Sequence, residues 1–547
     1  MSQTKTRREK KRQLGQFLTP PAYASQLLRD IVLDRADTVL EPCMGDGSFI
    51  MPLIEKFLPL YEGSLHQRLD RVLTENVYGV EIDSALYRRC LAQIEARWGY
   101  CPARHNLVQG DFFRHWFTLD VPAAQSRPDI RRFDYIVGNP PFGGTIDPRL
   151  QDQLDRQFGF RDGDKIKKET YAFFIVKCLD ILKDGGRLRF ICSDTFLTIQ
   201  TMRGLRRLLM SQGAVEVATL SAFSDETNHA MVVLDFRCTG GAAGVTIDGR
   251  AVARGTIELT GNASWRVTED LAPYFRGPKL GDYVVATSGM TTGKNDLFIR
   301  QIIDGAIVEP YAFEFFDDPI SVANELRRAR LGVLSPRKIA QIAQLERASA
   351  TRRNVRIAPR PAPLRIALPH PDYRPYNKAL KTVVYARPTH VIYWKDDGDA
   401  ARTFKRNGNW YLHGVGGQRY FGREGLTWQL IAQRLNARYL PPGYVLDSGA
   451  PCAFLRPGVD PAELYFILGW ALAPLCERLL KEVVNHTKNI QGKDFERLPY
   501  PFWVPGEQKQ AIIEQVRRLV AEAVAGRVVA REDEDIRRIG GMFESGL

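Results

Sequence analysis

The chain has 547 residues, 44% apolar and 25% charged, with a net charge of +13. This is an ordinary globular composition, enough for two large domains or several smaller ones, and it argues against a disordered or collagen-like chain. Eight cysteines without a CxxC pair argue against a disulfide framework or a thiolate zinc site. The longest apolar run, 464–476, falls short of the ~20 residues that span a bilayer, and the polar, basic N-terminus lacks a signal-peptide core; these features read as a cytoplasmic chain.

Residues 1–14 form a basic N-terminal arm carrying Lys5, Arg7, Arg8, Lys10, Lys11 and Arg12. Short β-rich runs follow at 38–41, 77–82, 106–109, 133–137, 187–192, 215–220 and 231–236, with helical patterns such as 84–98 and 170–182 between most of them. Strands alternating with helices predict an α/β fold with a mostly parallel sheet covered on both faces. The last two strands lack an intervening helix, so the sheet is expected to end in an antiparallel edge strand. Residues 241–280, opening near the GGAAG at 240–244, are expected to be a linker. A second domain is expected over 281–505 and a C-terminal helical tail over 506–547. From 321 to 440 there are 23 Lys or Arg against 7 Asp or Glu, an excess larger than the charge of the whole chain. The same segment holds Tyr373, Tyr376, Tyr385, Tyr393, Trp394, Phe404, Trp410 and Tyr411. Basic charge with interleaved aromatics points to a polyanion surface, nucleic acid first.

In parallel sheets ligands bind beyond the carboxyl ends of the strands. After the first strand comes Glu41-Pro42-Cys43-Met44-Gly45-Asp46-Gly47, a glycine turn that lets the backbone approach a ligand. The third glycine of a dinucleotide fingerprint is missing, since that position is Ile50. After the second strand stand Glu81, Ile82 and Asp83, where a carboxylate can accept both ribose hydroxyls. After the third come Asp111, Phe112 and Phe113, an acceptor for an exocyclic amine beside an aromatic. Three acids in register after three successive strands form a candidate nucleoside site. The fourth strand leads into Asn139-Pro140-Pro141-Phe142. The prolines rigidify the backbone and remove N–H donors, leaving the Asn139 side-chain oxygen and the Pro140 carbonyl as fixed acceptors next to an aromatic. That set suits a planar amino group on a base.

With these motifs the chain resembles the S-adenosylmethionine-dependent N6-adenine DNA methyltransferases of the TaqI-like and Eco57I-like group, which carry a C-terminal target recognition domain. The resemblance implies a class I methyltransferase fold, Rossmann-like with a seven-stranded sheet, over 15–240, plus an α+β recognition domain. Phe17-Leu18-Thr19-Pro20-Pro21 matches an N-terminal motif near the methionine end of the donor, with Thr19 expected to cap a helix that begins at Pro20. By the same resemblance Glu41 and Cys43 lie near the methionine moiety, and Gly45 and Gly47 belong to the donor-binding turn. Glu81 holds the ribose, Ile82 packs on the donor's adenine, Asp111 accepts from its amino group with Phe112 alongside, and Phe173 is a further donor-pocket aromatic. Asn139, Pro140, Pro141 and Phe142 match the catalytic loop, and Phe236 matches a second aromatic against a flipped base. In the second half, 288–296 and 498–502 resemble the start and close of recognition domains.

The implied activity is site-specific methyl transfer from S-adenosyl-L-methionine, without a metal, to adenine N6 in double-stranded DNA, within a restriction-modification or related defence system. The expected chain is a monomer away from membranes, and a cognate restriction endonuclease is compatible with it. The alternatives are an RNA-adenine or protein-glutamine methyltransferase, or a DNA-binding defence-complex subunit with decayed activity. The scattered histidines form no HxH or HExxH pair, and GxSxG and GxxxxGK[ST] are absent.

Overall fold

The computed structural model describes residues 18–114, 132–141, 148–161, 164–166, 169–220, 230–292, 294–317, 353–403 and 417–544. The basic arm, Phe142, Phe404, Trp410 and Tyr411 lie outside the described residues. The chain divides into two units, Met1–Glu269 and Asp270–Leu547.

The first unit is built on one sheet: β1 (Val39–Glu41), β2 (Val77–Glu81), β3 (Asn106–Gln109), β4 (Phe133–Gly138), β5 (Leu182–Ser193), β6 (Gly213–Leu220), β7 (Met231–Cys238), β8 (Val245–Ile247) and β9 (Arg250–Val252). Their order is β9-β8-β6-β7-β5-β4-β1-β2-β3. Strands β3, β2, β1, β4 and β5 are mutually parallel. β1 and β2 are buried along their whole length, as strands covered on both faces must be, and so read as near-continuous apolar runs. All seven strands predicted from sequence are present.

Two expectations about the sheet need correction. β7 is not an edge strand: it lies between β5 and β6 and is antiparallel to both. The sheet has nine strands rather than seven, because β8 and β9 extend it beyond β6. Those strands come from the expected linker. The helix Arg254–Leu259 and the fully buried Trp265 follow them, so 241–269 belongs to the first unit. Arg206, itself buried, fastens this segment by donating from Nε to Ala263 O at 2.8 Å and from Nη2 to Asn262 O and to Ile199 O.

Local chemistry sets the helices that matter for the site. The helix Pro21–Leu28, α1, starts one residue later than expected: Pro20 is its N-cap residue and there is no side-chain cap. Arg189 on β5 donates to Asp30, just beyond α1, and to Asp235 on β7, both at 2.8 Å, which fixes α1 against the sheet. α2 (Ile50–Phe57) follows the glycine turn. α3 (Ser84–Trp98) is capped by Asp83, whose carboxylate accepts from Ala85 N and Leu86 N, and ends at Gly99 in the left-handed region. In α4 (Thr170–Asp180) every residue from Tyr171 to Cys178 is buried, Lys177 included.

The second unit holds two four-stranded sheets, a long two-stranded ribbon pairing Ala306–Asp317 with Arg353–Ala367, and helices. Its start and its expected closing stretch are joined: Leu280 N donates to Leu498 O, Tyr500 N donates to Pro278 O, and Tyr283 stacks on Tyr500 at 3.9 Å. Residues 506–544 are no tail. The helix Gly506–Ala525 buries Ile512, Ile513, Val516 and Leu519, and Trp503 Nε1 donates to Phe543 O. Tyr373, Tyr376, Tyr393 and Trp394, expected on a polyanion surface, instead form a core with Phe298 and Ile307. Composition alone cannot distinguish an aromatic core face from a stacking face.

Candidate active site

The turns after β1, β2, β3 and β4 carry the expected residues, and Glu81 ties three of them together. Its Oε2 accepts from Gly45 N at 2.9 Å, its Oε1 from Asp83 N at 2.7 Å, and its carbonyl from Gly110 N at 2.9 Å. Met44 N donates to Val80 O, which seats the glycine turn over β2. Burial raises the Glu81 carboxyl above its ordinary range, and the Asp83 and Gly45 amides act against that rise.

Gly47 sits at φ +98°, and a Cβ there would lie 2.7 Å from Cys90 Sγ, so only glycine fits. Glu41 is 2% exposed, and its Oε2 has no hydrogen-bond partner among the described residues. Burial first, then the nearby Glu81 and Asp46, push its carboxyl well above the usual range. Burial and Glu41 likewise raise the Cys43 thiol. A buried acceptor without a partner is uncommon in a folded protein.

The Asn139 loop meets this turn. A Cβ on Gly138 would lie 3.5 Å from Glu41 Cγ and 3.7 Å from Cys43 Sγ, so the backbone entering the loop packs on both side chains. Asn139 Nδ2 donates to Thr19 Oγ1 at 3.3 Å. Thr19 is buried and serves this contact instead of capping α1. Pro140 is buried and Pro141 half-buried.

The remaining expected residues separate. Ile82 is 51% exposed, an apolar side chain open to a ligand at the end of β2. Asp111 Oδ1 accepts from Phe113 N at 2.9 Å and so folds its own turn. Phe112 is buried and stacks on Phe174 at 4.9 Å. Phe173 is fully buried within α4.

Phe236 is in the wrong place for its expected role. It pairs with Leu188 and Val215, whereas the carboxyl ends of β5 and β6, Ser193 and Leu220, pair with Met231. Gly138, which leads into the Asn139 loop, pairs with Phe190 and Phe190 with Leu234, so Phe236 lies two residues, about 7 Å of strand, below the row where that loop leaves the sheet. Phe236 is fully buried. The antiparallel direction of β7, already implied by the missing helix before it, was the signal that places its first residue, not its sixth, at the site end.

Sequence reasoning missed Lys177. Its Nζ donates to Phe113 O at 2.9 Å and stands 5.4 Å from the Phe112 ring centre and 5.6 Å from that of Phe113. It thereby pins the Asp111–Phe113 turn to α4. A lone lysine inside an otherwise apolar helix was the available signal.

Comparisons with known proteins agree with the motifs. Residues 101–224 match the family described as Eco57I restriction-modification methylase. The chain is 25% identical over 214 residues to the type II methyltransferase M.HincII of Haemophilus influenzae, covering 38% of this chain and 33% of that protein. It is 27% identical over 235 residues to M.TthHB8I of Thermus thermophilus, covering 42% of this chain and 46% of that one. The matches thus span a third to a half of these relatives' length. In fold the chain is similar to DrdV, solved by cryo-EM as a DNA complex, with a TM-score of 0.55 at 12% identity over 94% of this chain and 57% of that one. The first unit has the class I methyltransferase fold, with a further domain after it, and its similarity is to restriction-modification methyltransferases.

Proposed function

We propose that the chain transfers a methyl group from S-adenosyl-L-methionine to N6 of an adenine in duplex DNA, as the modification activity of a restriction-modification system. The observation that carries this reading is the packing of the Gly138–Pro141 loop on Glu41 and Cys43 of the glycine turn. It brings the loop that carries the Asn139 side-chain oxygen and the Pro140 carbonyl, the proposed acceptors for an amino group, against a turn suited to a methyl donor.

The residues fit such a donor. The unpartnered Glu41 Oε2 suits the ammonium of a methionine moiety. Glu81, held at the end of β2 by the Gly45 and Asp83 amides, is the residue proposed to meet the ribose hydroxyls. Exposed Ile82 offers a face to an adenine, and Asp111 an acceptor to its amine. The sulfonium of the donor supplies an electrophilic methyl group.

On the acceptor side, a target adenine must leave the helix stack, at a cost of a few kcal/mol. Phe142 is the motif aromatic proposed to stack on it, which offsets about 1–3 kcal/mol. With Nδ2 donating to Thr19, Asn139 Oδ1 is the amide atom proposed to accept from the amine. Asn139 Oδ1 and the Pro140 carbonyl then accept the two N6 hydrogens and localise the nitrogen lone pair for in-line attack. The proton departs to water afterwards. Catalysis is orientation and electrostatics. The second unit, with the excess of Lys and Arg over 321–440, is the proposed target-recognition domain.

The test is labelled-methyl transfer from S-adenosylmethionine to duplex DNA, RNA and protein. Label in duplex DNA alone is expected. Label in RNA or protein but not in DNA would overturn the reading.

A further inference from the structure

Arg438 belongs to the outermost strand of one sheet in the second unit, Arg438–Leu440, paired with Gly425–Thr427. It is 2% exposed. Its Nη2 donates to Lys378 O at 3.2 Å, but its Nε has no acceptor. Among the described residues no carboxylate pairs with it. Its neighbours are the Cys452 thiol and the Tyr444 phenol, and burial lowers the guanidinium to about 10. Asp447, beside Cys452, is already committed: it accepts from Lys378 Nζ at 3.0 Å and from Tyr376 OH at 3.2 Å. Among the described residues the other buried arginines, Arg189, Arg206 and Arg300, are satisfied, Arg189 by Asp30 and Asp235. Arg300 has Glu309 and three carbonyls, and Arg206 has five carbonyls. A buried cation without a counter-charge costs several kcal/mol. Folds keep such a group where something outside the chain completes it.

A second observation falls at the same place. The open edge of the Arg438 strand is covered by residues 383–385. Val384 N donates to Ala437 O at 3.0 Å, and Tyr439 N donates to Val384 O at 2.7 Å. Val384 has φ +64°, in a three-residue turn closed by Tyr385 N to Val383 O at 2.7 Å. A β-branched residue in this region is strained, and strain of this kind collects at ligand clamps. The cover is therefore short and held at a cost, on the edge of the strand whose Arg438 Nε has no acceptor among the described residues.

We propose that Arg438 is the anchor of an oxyanion site in the second unit, which takes a phosphate group through the planar fork of its guanidinium. The fork matches two phosphate oxygens, which an ammonium cannot do. The group is assigned to the backbone of the bound DNA; that source rests on the function proposed above, whereas the site itself does not.

The test compares the full-length chain with R438M, which keeps the bulk and removes the charge. Unfolding temperature is measured with inorganic phosphate against chloride at matched ionic strength, and duplex DNA affinity is measured across salt. The expected results are that R438M is at least as stable as wild type without phosphate and loses the phosphate-dependent rise. Its DNA affinity should fall about tenfold, with the log–log salt slope smaller by roughly 0.9, one phosphate. Loss of the phosphate response with DNA binding intact would support the site and make free phosphate its ligand. Equal phosphate and DNA responses in both proteins would overturn the proposal and leave Arg438 as a hydrated core residue. If R438M does not fold, R438Q, which keeps an amide donor for Lys378 O, is read in the same way. Absence of DNA binding by wild type would count against the proposed function, while a wild-type phosphate response lost in the variant would still support the site.

Discussion

Asn139 Nδ2 donates to Thr19 Oγ1 at 3.3 Å, across 120 residues of chain. The N-terminal motif and the loop after the fourth strand are thus one device: Thr19 sets which way the Asn139 amide faces. In N139A, turnover should fall by about 3–4 kcal/mol of transition-state stabilisation, the usual cost of losing one aimed polar group, with donor binding retained. In T19V the amide loses its guide, and kcat should fall by about 1 kcal/mol, several-fold. Single-turnover rates and donor calorimetry check both; a wild-type rate in N139A contradicts the assignment.

Glu41 gives a pH signature. Its folded carboxyl is raised above the unfolded value, so its contribution is present below about pH 4 and is lost as pH rises through the raised value. E41Q should therefore be more stable than wild type at neutral and alkaline pH and should bind the donor more weakly. Donor binding should also release a proton from wild type and not from E41Q, read by calorimetry in buffers of different ionisation enthalpy. Equal proton release from both proteins would show that Glu41 does not meet the donor.

Asp30 has the opposite sign. Hydrogen bonding to Arg189 holds its carboxyl below the ordinary value. Its contribution is present above about pH 4 and is lost as pH falls below that. The gap in urea midpoint between wild type and D30N should narrow on acidification from pH 6 to pH 3, as pH falls below the unfolded value toward the folded one. A constant gap would mean that the contact with Arg189 does not hold α1.

Phe236 should behave as a core residue. F236A removes a fully buried ring and should destabilise the first unit by about 3–5 kcal/mol. The milder F236L should fold and methylate at the wild-type rate. A folded F236L with turnover lost would restore the role that its place on β7 denies it.

The turns after the parallel strands were legible because each carries a local signature: Gly45 and Gly47 in a strand-to-helix turn, Glu81 and Asp111 at strand ends, and two prolines after Asn139. Strand positions followed from short apolar runs. What stayed hidden depends on partners distant in sequence. β8 and β9 form a short hairpin that joins the sheet by pairing with β6, so 241–269 reads as a linker from sequence. Thr19 resembled a cap because its partner lies at Asn139. Tyr376 and Trp394 looked like stacking residues because aromatics in a basic segment do not declare which face they occupy. Lys177 and Arg438 show their roles only through the carbonyls around them.

The central claim is methyl transfer to adenine N6 by the Asn139 loop. The direct measurement is mass spectrometry of nucleosides from unmethylated duplex DNA incubated with the full-length chain and S-adenosylmethionine, beside the N139A variant. N6-methyladenine from wild type and none from N139A is the expected result. Methylation at cytosine, no methylated base at all, or equal N6-methyladenine from both proteins would contradict it.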